Sequence, residues 1–295
     1  MVLSLAAAAV AASSKPPETI PVLQAIVLGI TQGLAEFLPI SSSGHLILVP
    51  WLFGWTGLGA AGADFNRTFD VALHLGTLGG LVAYFHRDLA RVAVAGGRAL
   101  LKRRAESNDE RLAGLLVVAT VPGVIAGAAL DATVLGRLGS IALIAIMLIA
   151  FGLVLAVADR ALGRRELGSL GLRDALIMGG AQALALSPGV SRSGATISAG
   201  RFLGLSRDAA ARMSFLMSVP ITAGALVYEG AKLVANGGLP AGTAPAFLWG
   251  IVSSALTGVV AVWLVLRIVR TRSFRPFVIY RVVAGAGVLV LLALR

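Results

Sequence analysis

Between residues 32 and 45 the chain reads QGLAEFLPISSSGH, and between 187 and 196 it reads SPGVSRSGAT. Each stretch places hydroxyls and ionisable groups inside an otherwise apolar region. A serine hydroxyl is a weak nucleophile unless a neighbouring base takes its proton. His45 follows Ser42 by three residues and can act as that base, then as acid for a leaving group. Arg192 can grip an anion with two donors, and Gly/Ser-rich breaks that open onto helix N-termini expose backbone N–H groups that favour anions. Together these groups suit phosphoryl transfer. Glu36 can hold a hard divalent cation through oxygen or orient His45. Ser42 is preferred to Ser41 as nucleophile because of its spacing from His45; attack by water or by His45 itself stays open. The structural alternative is a Glu36–Arg192 pair, with the serines satisfying broken helix ends and His45 as a simple hydrogen-bonding group. His74, early in an apolar span, and His86, beside Arg87, are read as structural.

The surroundings must be a membrane. Of 295 residues, 57% are hydrophobic and only 13% charged, with a mean hydropathy of +0.89. Soluble domains carry about 25% charged residues. The net charge of +11 comes from Lys and Arg spread between apolar spans, which fits membrane loops and argues against nucleic acid as a partner. There is no cysteine, hence neither disulfide nor thiolate metal site. The Ala-rich opening lacks a basic n-region, so a frayed helix or added segment is expected over residues 1–20 rather than a cleaved signal.

Six stretches are long enough, or nearly so, to span a core of about 30 Å: 71–86, 112–130, 138–158, 213–228, 246–266 and 277–294. Two further apolar regions, 21–53 and 172–205, are interrupted by the polar motifs, and the arms after the breaks, 46–53 and 195–205, rise only about half a bilayer. Each is expected to be a re-entrant helical hairpin, tolerated at membrane depth only if buried in protein or lining a wet cavity. Residues 87–111 hold seven Lys/Arg, and 159–173, 201–212 and 267–281 are also basic. Placing these inside works only if both hairpins return to their starting side.

An offset of 150 residues aligns 25–47 with 175–197 at nine of 23 positions, among them Gly29/Gly179, Gln32/Gln182, Ser41/Ser191, Ser43/Ser193 and Gly44/Gly194. A weaker echo links VPGVIAGAAL from Val121 to VPITAGAL from Val219. Each half holds one hairpin and three spans, an odd number of crossings, so the halves are expected to be inverted, with their hairpin tips meeting near the midplane. The expected fold is all-α: six transmembrane helices plus two re-entrant hairpins in one membrane domain, divided as 21–158 and 159–295. Ionisable groups at that depth are functional by default.

The motifs TQGLAEFLPISSSGHL and SPGVSRSGAT, with FDVALHLGTLGGLVAYF and FVIYR, resemble those of the BacA-type integral-membrane undecaprenyl-pyrophosphate phosphatases from about Val22 to the C-terminus. The resemblance implies removal of the terminal phosphate from the C55 isoprenyl diphosphate carrier lipid, recycling it for peptidoglycan synthesis in the bacterial inner membrane. It implies a divalent cation, Mg or Ca. It places the family's acidic element on Gln32 and Glu36, its Ser/His element on Ser41, Ser42 and His45, and its Arg element on residues 188–193 with Thr196 following. Many relatives carry Glu where this chain has Gln32. The expected roles are Ser42 nucleophile, His45 base and acid, Arg192 clamp, and Glu36 with Gln32 at the cation. Gln32, Ser41, Ser43, Ser191, Ser193 and Thr196 are expected to bind the substrate. The site is expected to open to the outer face, and the oligomeric state is open, a homodimer included. The alternative class is a lipid or anion transporter or flippase, since inverted repeats with broken helices are common in carriers.

Overall fold

In the computed structural model, residues 20–55, 63–129 and 139–295 are described. The expected N-terminal extension, apart from Ile20, lies outside them. Among the described residues the chain is all-α, with ten α-helices and no strand; a single bridge joins Arg165 and Leu205.

Four helices are short. α1 (Val22–Phe37) and α2 (Ser42–Phe53) are separated by residues 38–41, and α6 (Leu172–Leu184) and α7 (Arg192–Phe202) by residues 185–191. At 16, 12, 13 and 11 residues, none exceeds about 24 Å, short of a core of about 30 Å. The other six are long and apolar enough to cross a membrane: α3 (Ala63–Lys102), α4 (Asn108–Ala129), α5 (Ile141–Asp159), α8 (Arg207–Ala235), α9 (Ala244–Thr271) and α10 (Arg275–Leu294). The protein is therefore a multi-pass membrane protein. Large apolar side chains such as Leu23, Val117, Ile125, Leu256 and Val283 face outward, as a lipid solvent requires.

The caps explain where the helices begin. Ser140 and Ser206 accept from the backbone N–H groups of Leu143 and Ala209 at the starts of α5 and α8. Pro245 and Pro276 sit in the first turns of α9 and α10, where a missing N–H costs nothing. Both short arms start earlier than their apolarity suggests, at Ser42 and Arg192, because Ser41 and Ser191 cap them. The basic stretch after residue 86 is not a loop: α3 bends at Phe85 (φ −98°, ψ 16°) and stays helical to Lys102. Its Ala, Arg, Leu and Lys residues favour helix, and its charged positions report solvent, not loop.

Packing joins distant parts of the chain. α1 lies against α9 so closely that a Cβ on Gly29 would fall 2.4 Å from the Gly250 carbonyl oxygen. α6 lies against α4 in the same manner, with a Cβ on Gly179 meeting the Ala119 carbonyl at 2.6 Å. Small residues at such contacts let backbones approach where no hydrophobic force drives helices together in lipid. The largest core cluster gathers α1, α8, α9 and α7 around Phe37 and Phe215, whose rings meet edge to face at 5.5 Å.

Candidate active site

The turns after α1 and α6 meet, and their tips are built alike. Ser41 (φ 78°, ψ 93°) and Ser191 (φ 73°, ψ 116°) both take positive φ, a backbone region costing roughly 1–3 kcal/mol for a residue with a side chain. Each recovers part of that cost by capping the next helix: Ser41 Oγ accepts from Gly44 N–H and Ser191 Oγ from Gly194 N–H. Ser41 Oγ also accepts from Gly189 N–H across the two turns, at 3.1 Å. Ser193 Oγ donates back to the Leu38 carbonyl at 3.2 Å.

Beneath both turns lies Arg281 of α10, fully buried. Its guanidinium donates only to carbonyl oxygens: Leu148 and Met147 of α5, Pro39 of the first turn, Gly189 and Val190 of the second. A charged donor shared by both breaks satisfies carbonyls that helix interruption would leave bare.

Glu36, 7% exposed, is the hub of the polar cluster. Arg192 Nη2 donates to its Oε1 at 2.6 Å. Its Oε2 accepts from Ser42 Oγ at 2.5 Å and from Gln32 Nε2 at 3.2 Å. His74 of α3 brings Nε2 to 3.6 Å from the same oxygen. Its Nδ1 lies 2.7 Å from the Asp70 carbonyl and must be the donor there, so Nε2 is the nitrogen that faces Glu36.

These groups open onto a cavity of about 230 Å³ whose polar wall is Glu36, Ser42, Ser43, His74, Ser191 and Arg192. Its other wall is apolar, with Val71, Leu186, Ile221, Ala225 and Leu226. A charged head with a hydrocarbon tail suits such a space. The remaining sequence-predicted residues stand behind the wall. Gln32 is fully buried against Glu36, Ser41 and Ser193 tie the turns together, and Thr196 Oγ1 lies 2.7 Å from both the Arg192 carbonyl and Ser214 Oγ.

One expected pairing is not formed. His45 does not meet Ser42: its Nδ1 donates to the Ser41 carbonyl at 2.7 Å, and its Nε2 is 2.7 Å from the Tyr280 hydroxyl of α10. With one nitrogen donating and the other accepting, the neutral ring has no site left for the Ser42 proton. The oxygen poised to take that proton belongs to Glu36. His74, expected to be structural, lines the cavity instead, together with Gln182. The signal for His74 was present, since an ionisable residue within an apolar span is a candidate site residue.

For a cation, the donor set is one carboxylate and one amide. Gln32 Oε1 is buried with no hydrogen-bond partner, four residues from Glu36. Among the described residues no three His, Cys, Asp or Glu side chains cluster as a metal cage. Magnesium characteristically uses one or two carboxylates plus substrate phosphate oxygens, and Glu36 with Gln32 fits that use.

The profile of the family described as bacitracin resistance protein BacA matches residues 25–287. Among curated proteins, the chain is similar to the undecaprenyl-diphosphatase of Geobacter sulfurreducens, 48% identical over 93% of this chain and 99% of the relative. The undecaprenyl-diphosphatase of Geobacter metallireducens is 48% identical over 90% of this chain and 97% of its own. That of Thermomicrobium roseum is 45% identical over 92% and 98%, respectively.

Proposed function

The chain belongs to the bacitracin resistance protein BacA family, and from that premise we propose that it is an undecaprenyl-diphosphatase. It is a hydrolase of the phosphoric anhydride bond, converting the C55 isoprenyl diphosphate to the monophosphate and inorganic phosphate and so returning the carrier lipid to cell-wall synthesis. The observation that carries this reading is the hydroxyl of Ser42 at 2.5 Å from a carboxylate whose other oxygen holds Arg192 at 2.6 Å, at the wall of a half-apolar cavity.

On this reading the incoming diphosphate takes Arg192 from Glu36, because a phosphate offers the guanidinium a bidentate acceptor of higher charge. Ser42 Oγ then attacks the terminal phosphorus while Glu36 Oε2 takes its proton. The anhydride P–O bond breaks, and the isoprenyl monophosphate leaves with the electron pair. In the second step water attacks the phosphoserine phosphorus while Glu36 takes its proton, the P–Oγ bond breaks, and that proton returns to Ser42 Oγ as inorganic phosphate leaves. His74 Nε2, beside Glu36, hands protons on towards the leaving oxygen. His45 holds the first turn of α2 against Tyr280 and is a positioning residue. A divalent cation, Mg or Ca, would be held by Glu36 and Gln32, and when bound it would neutralise charge on the diphosphate.

The two short helix pairs are re-entrant hairpins in this reading, and the halves 21–158 and 159–295 are inverted repeats. Support comes from the like-built tips at Ser41 and Ser191 and from the matching packing of α1 on α9 and α6 on α4. The basic ends of α3, α5, α8 and α9 then face the cytoplasm of the inner membrane, and the catalytic cavity faces outward. Phosphate release from C55 isoprenyl diphosphate by the purified protein, with and without Mg or Ca, tests the proposal. Release that disappears with Ser42→Ala supports it. Absence of release, together with facilitated movement of an anionic lipid, would make the chain a carrier instead.

A further inference from the structure

A second cavity, of about 1000 Å³, lies at the opposite end of the helices from the Ser42 cleft. Along α8, Arg207 lines this cavity and Ile221 the cleft; the intervening helix rises about 21 Å. Along α7, Arg201 is here and Arg192 there, roughly 14 Å apart.

Its charge is unbalanced. Asp159 is occupied by Arg207 at 2.5 Å and by the Phe274 N–H at the start of α10. Asp208 is occupied by Arg212 at 2.7 Å and Arg270 at 3.0 Å. Among the described residues, Arg160, Arg201 and Arg275 line the cavity without any carboxylate partner, and only Glu166 faces them without an ion pair. Arg201 is the unusual one. It is 3% exposed, and its Nη atoms donate to the carbonyls of Leu205, Asp159 and Ala161. Its Nε–H donates to nothing. Among the described residues no carboxylate lies within ion-pair distance of this buried guanidinium; Asp159 acts on it from farther away while paired with Arg207, so its charge is only partly balanced. Ala156, Val269, Val278 and the lipid-facing Ile279 form an apolar side wall.

We propose that this cavity is a second anion site, binding a phosphate group at the basic surface of the protein through Arg160 and Arg275, with the buried Arg201 adding its charge behind them. Its chemistry is that of a phosphate oxygen set, carried either by free phosphate or by the headgroup of an anionic phospholipid. The proposal does not depend on hydrolysis in the Ser42 cleft.

The test is thermal unfolding of the purified full chain in neutral detergent. It is titrated in one arm with inorganic phosphate and in the other with phosphatidic acid against phosphatidylcholine. The wild-type midpoint rises with the anion. The rise persists in Arg192→Ala, which removes the clamp of the other cavity, with Arg192→Gln as the substitute should the alanine variant not fold. It also persists in Arg98→Ala/Arg103→Ala, an equal loss of charge elsewhere. In Arg160→Ala/Arg275→Ala, whose exposed side chains make no ion pair, half-saturation moves at least tenfold higher. A rise with inorganic phosphate alone assigns the site to the free anion; a rise confined to phosphatidic acid assigns it to a headgroup. No rise in either arm overturns the proposal. So does a rise that survives in the Arg160/Arg275 variant, or one abolished equally by the Arg192 or Arg98/Arg103 variants.

Discussion

The two helix breaks differ at the positions proposed to carry the chemistry and agree at those that shape the chain. At the 150-residue offset, Ser41 matches Ser191, Ser43 matches Ser193, Gly44 matches Gly194 and Gln32 matches Gln182. The Ser41/Ser191 pair takes positive φ and caps the next helix in both turns. Glu36, Ser42 and His45 face instead Leu186, Arg192 and Ala195. One turn supplies a carboxylate and a hydroxyl, the other a cation, and Glu36 receives both. What the halves share is the means of making and capping the turn. What they do not share is the set of groups assigned to the proposed reaction.

That division can be tested by position. Ser42→Ala should lower the rate of phosphate release by about a thousandfold or more, about 4 kcal/mol. Ser43→Ala, at a position that both breaks hold as serine, should cost less than about tenfold on the same scale. Equal losses would break the distinction between shared and private residues. Arg192→Ala should lose roughly 10²–10³ in kcat/KM, about 3–4 kcal/mol, as for other donors to developing charge. Arg192→Lys should recover little, because a point charge does not replace a planar fork. A lysine variant near wild type would reduce Arg192 to a simple counter-charge.

Smaller effects sharpen the comparison. Gln32→Glu puts a second carboxylate four residues from Glu36, on one helical face. Their repulsion is relieved by a cation, so half-maximal phosphate release should need several-fold less Mg or Ca, with residual cation-free activity below wild type. Superimposable titrations would remove the metal from this face and leave Glu36 with the Ser42 proton alone. Finally, Ser41→Ala and Ser191→Ala each remove an N-cap and should destabilise by about 1 kcal/mol in thermal unfolding. Ser41→Ala should cost more, since its second partner is the Gly189 N–H across the two turns, whereas that of Ser191 is Ser193 Oγ on the helix it caps. The reverse order would mean that the second turn, not the first, holds the junction.

Much of this was legible in the sequence. The six spans follow from hydropathy, and the breaks from polar motifs that no lipid-facing helix would carry. Glu36, Ser42 and Arg192 follow from the rule that ionisable groups at membrane depth have a purpose. His45 did not follow. Three residues from Ser42 it reads as a base, but Tyr280 fills its free nitrogen from a helix 235 residues away. His74 reads as structural, yet it faces Glu36, which is near in space but remote along the chain. Arg281 looked like one basic residue in a basic region, and only the packing of α10 turns it under both breaks. Spacing along a helix predicts what one element presents; which partner meets it is set by packing between elements.

Arg281 also sets a schedule. It lies 242 residues after Pro39, whose carbonyl it holds, and on the last helix of the chain. At a synthesis rate of roughly 5–20 residues per second, the first turn exists for about 12–50 s before that guanidinium is made. Arg192 itself is made 89 residues before Arg281, so for about 4–18 s Glu36, Ser42 and Arg192 can all be present without a finished floor beneath them. The ribosome therefore delivers the reactive groups first and their fastening last, and a chain cut short before α10 carries every group of the proposed reaction without the means to hold them in place.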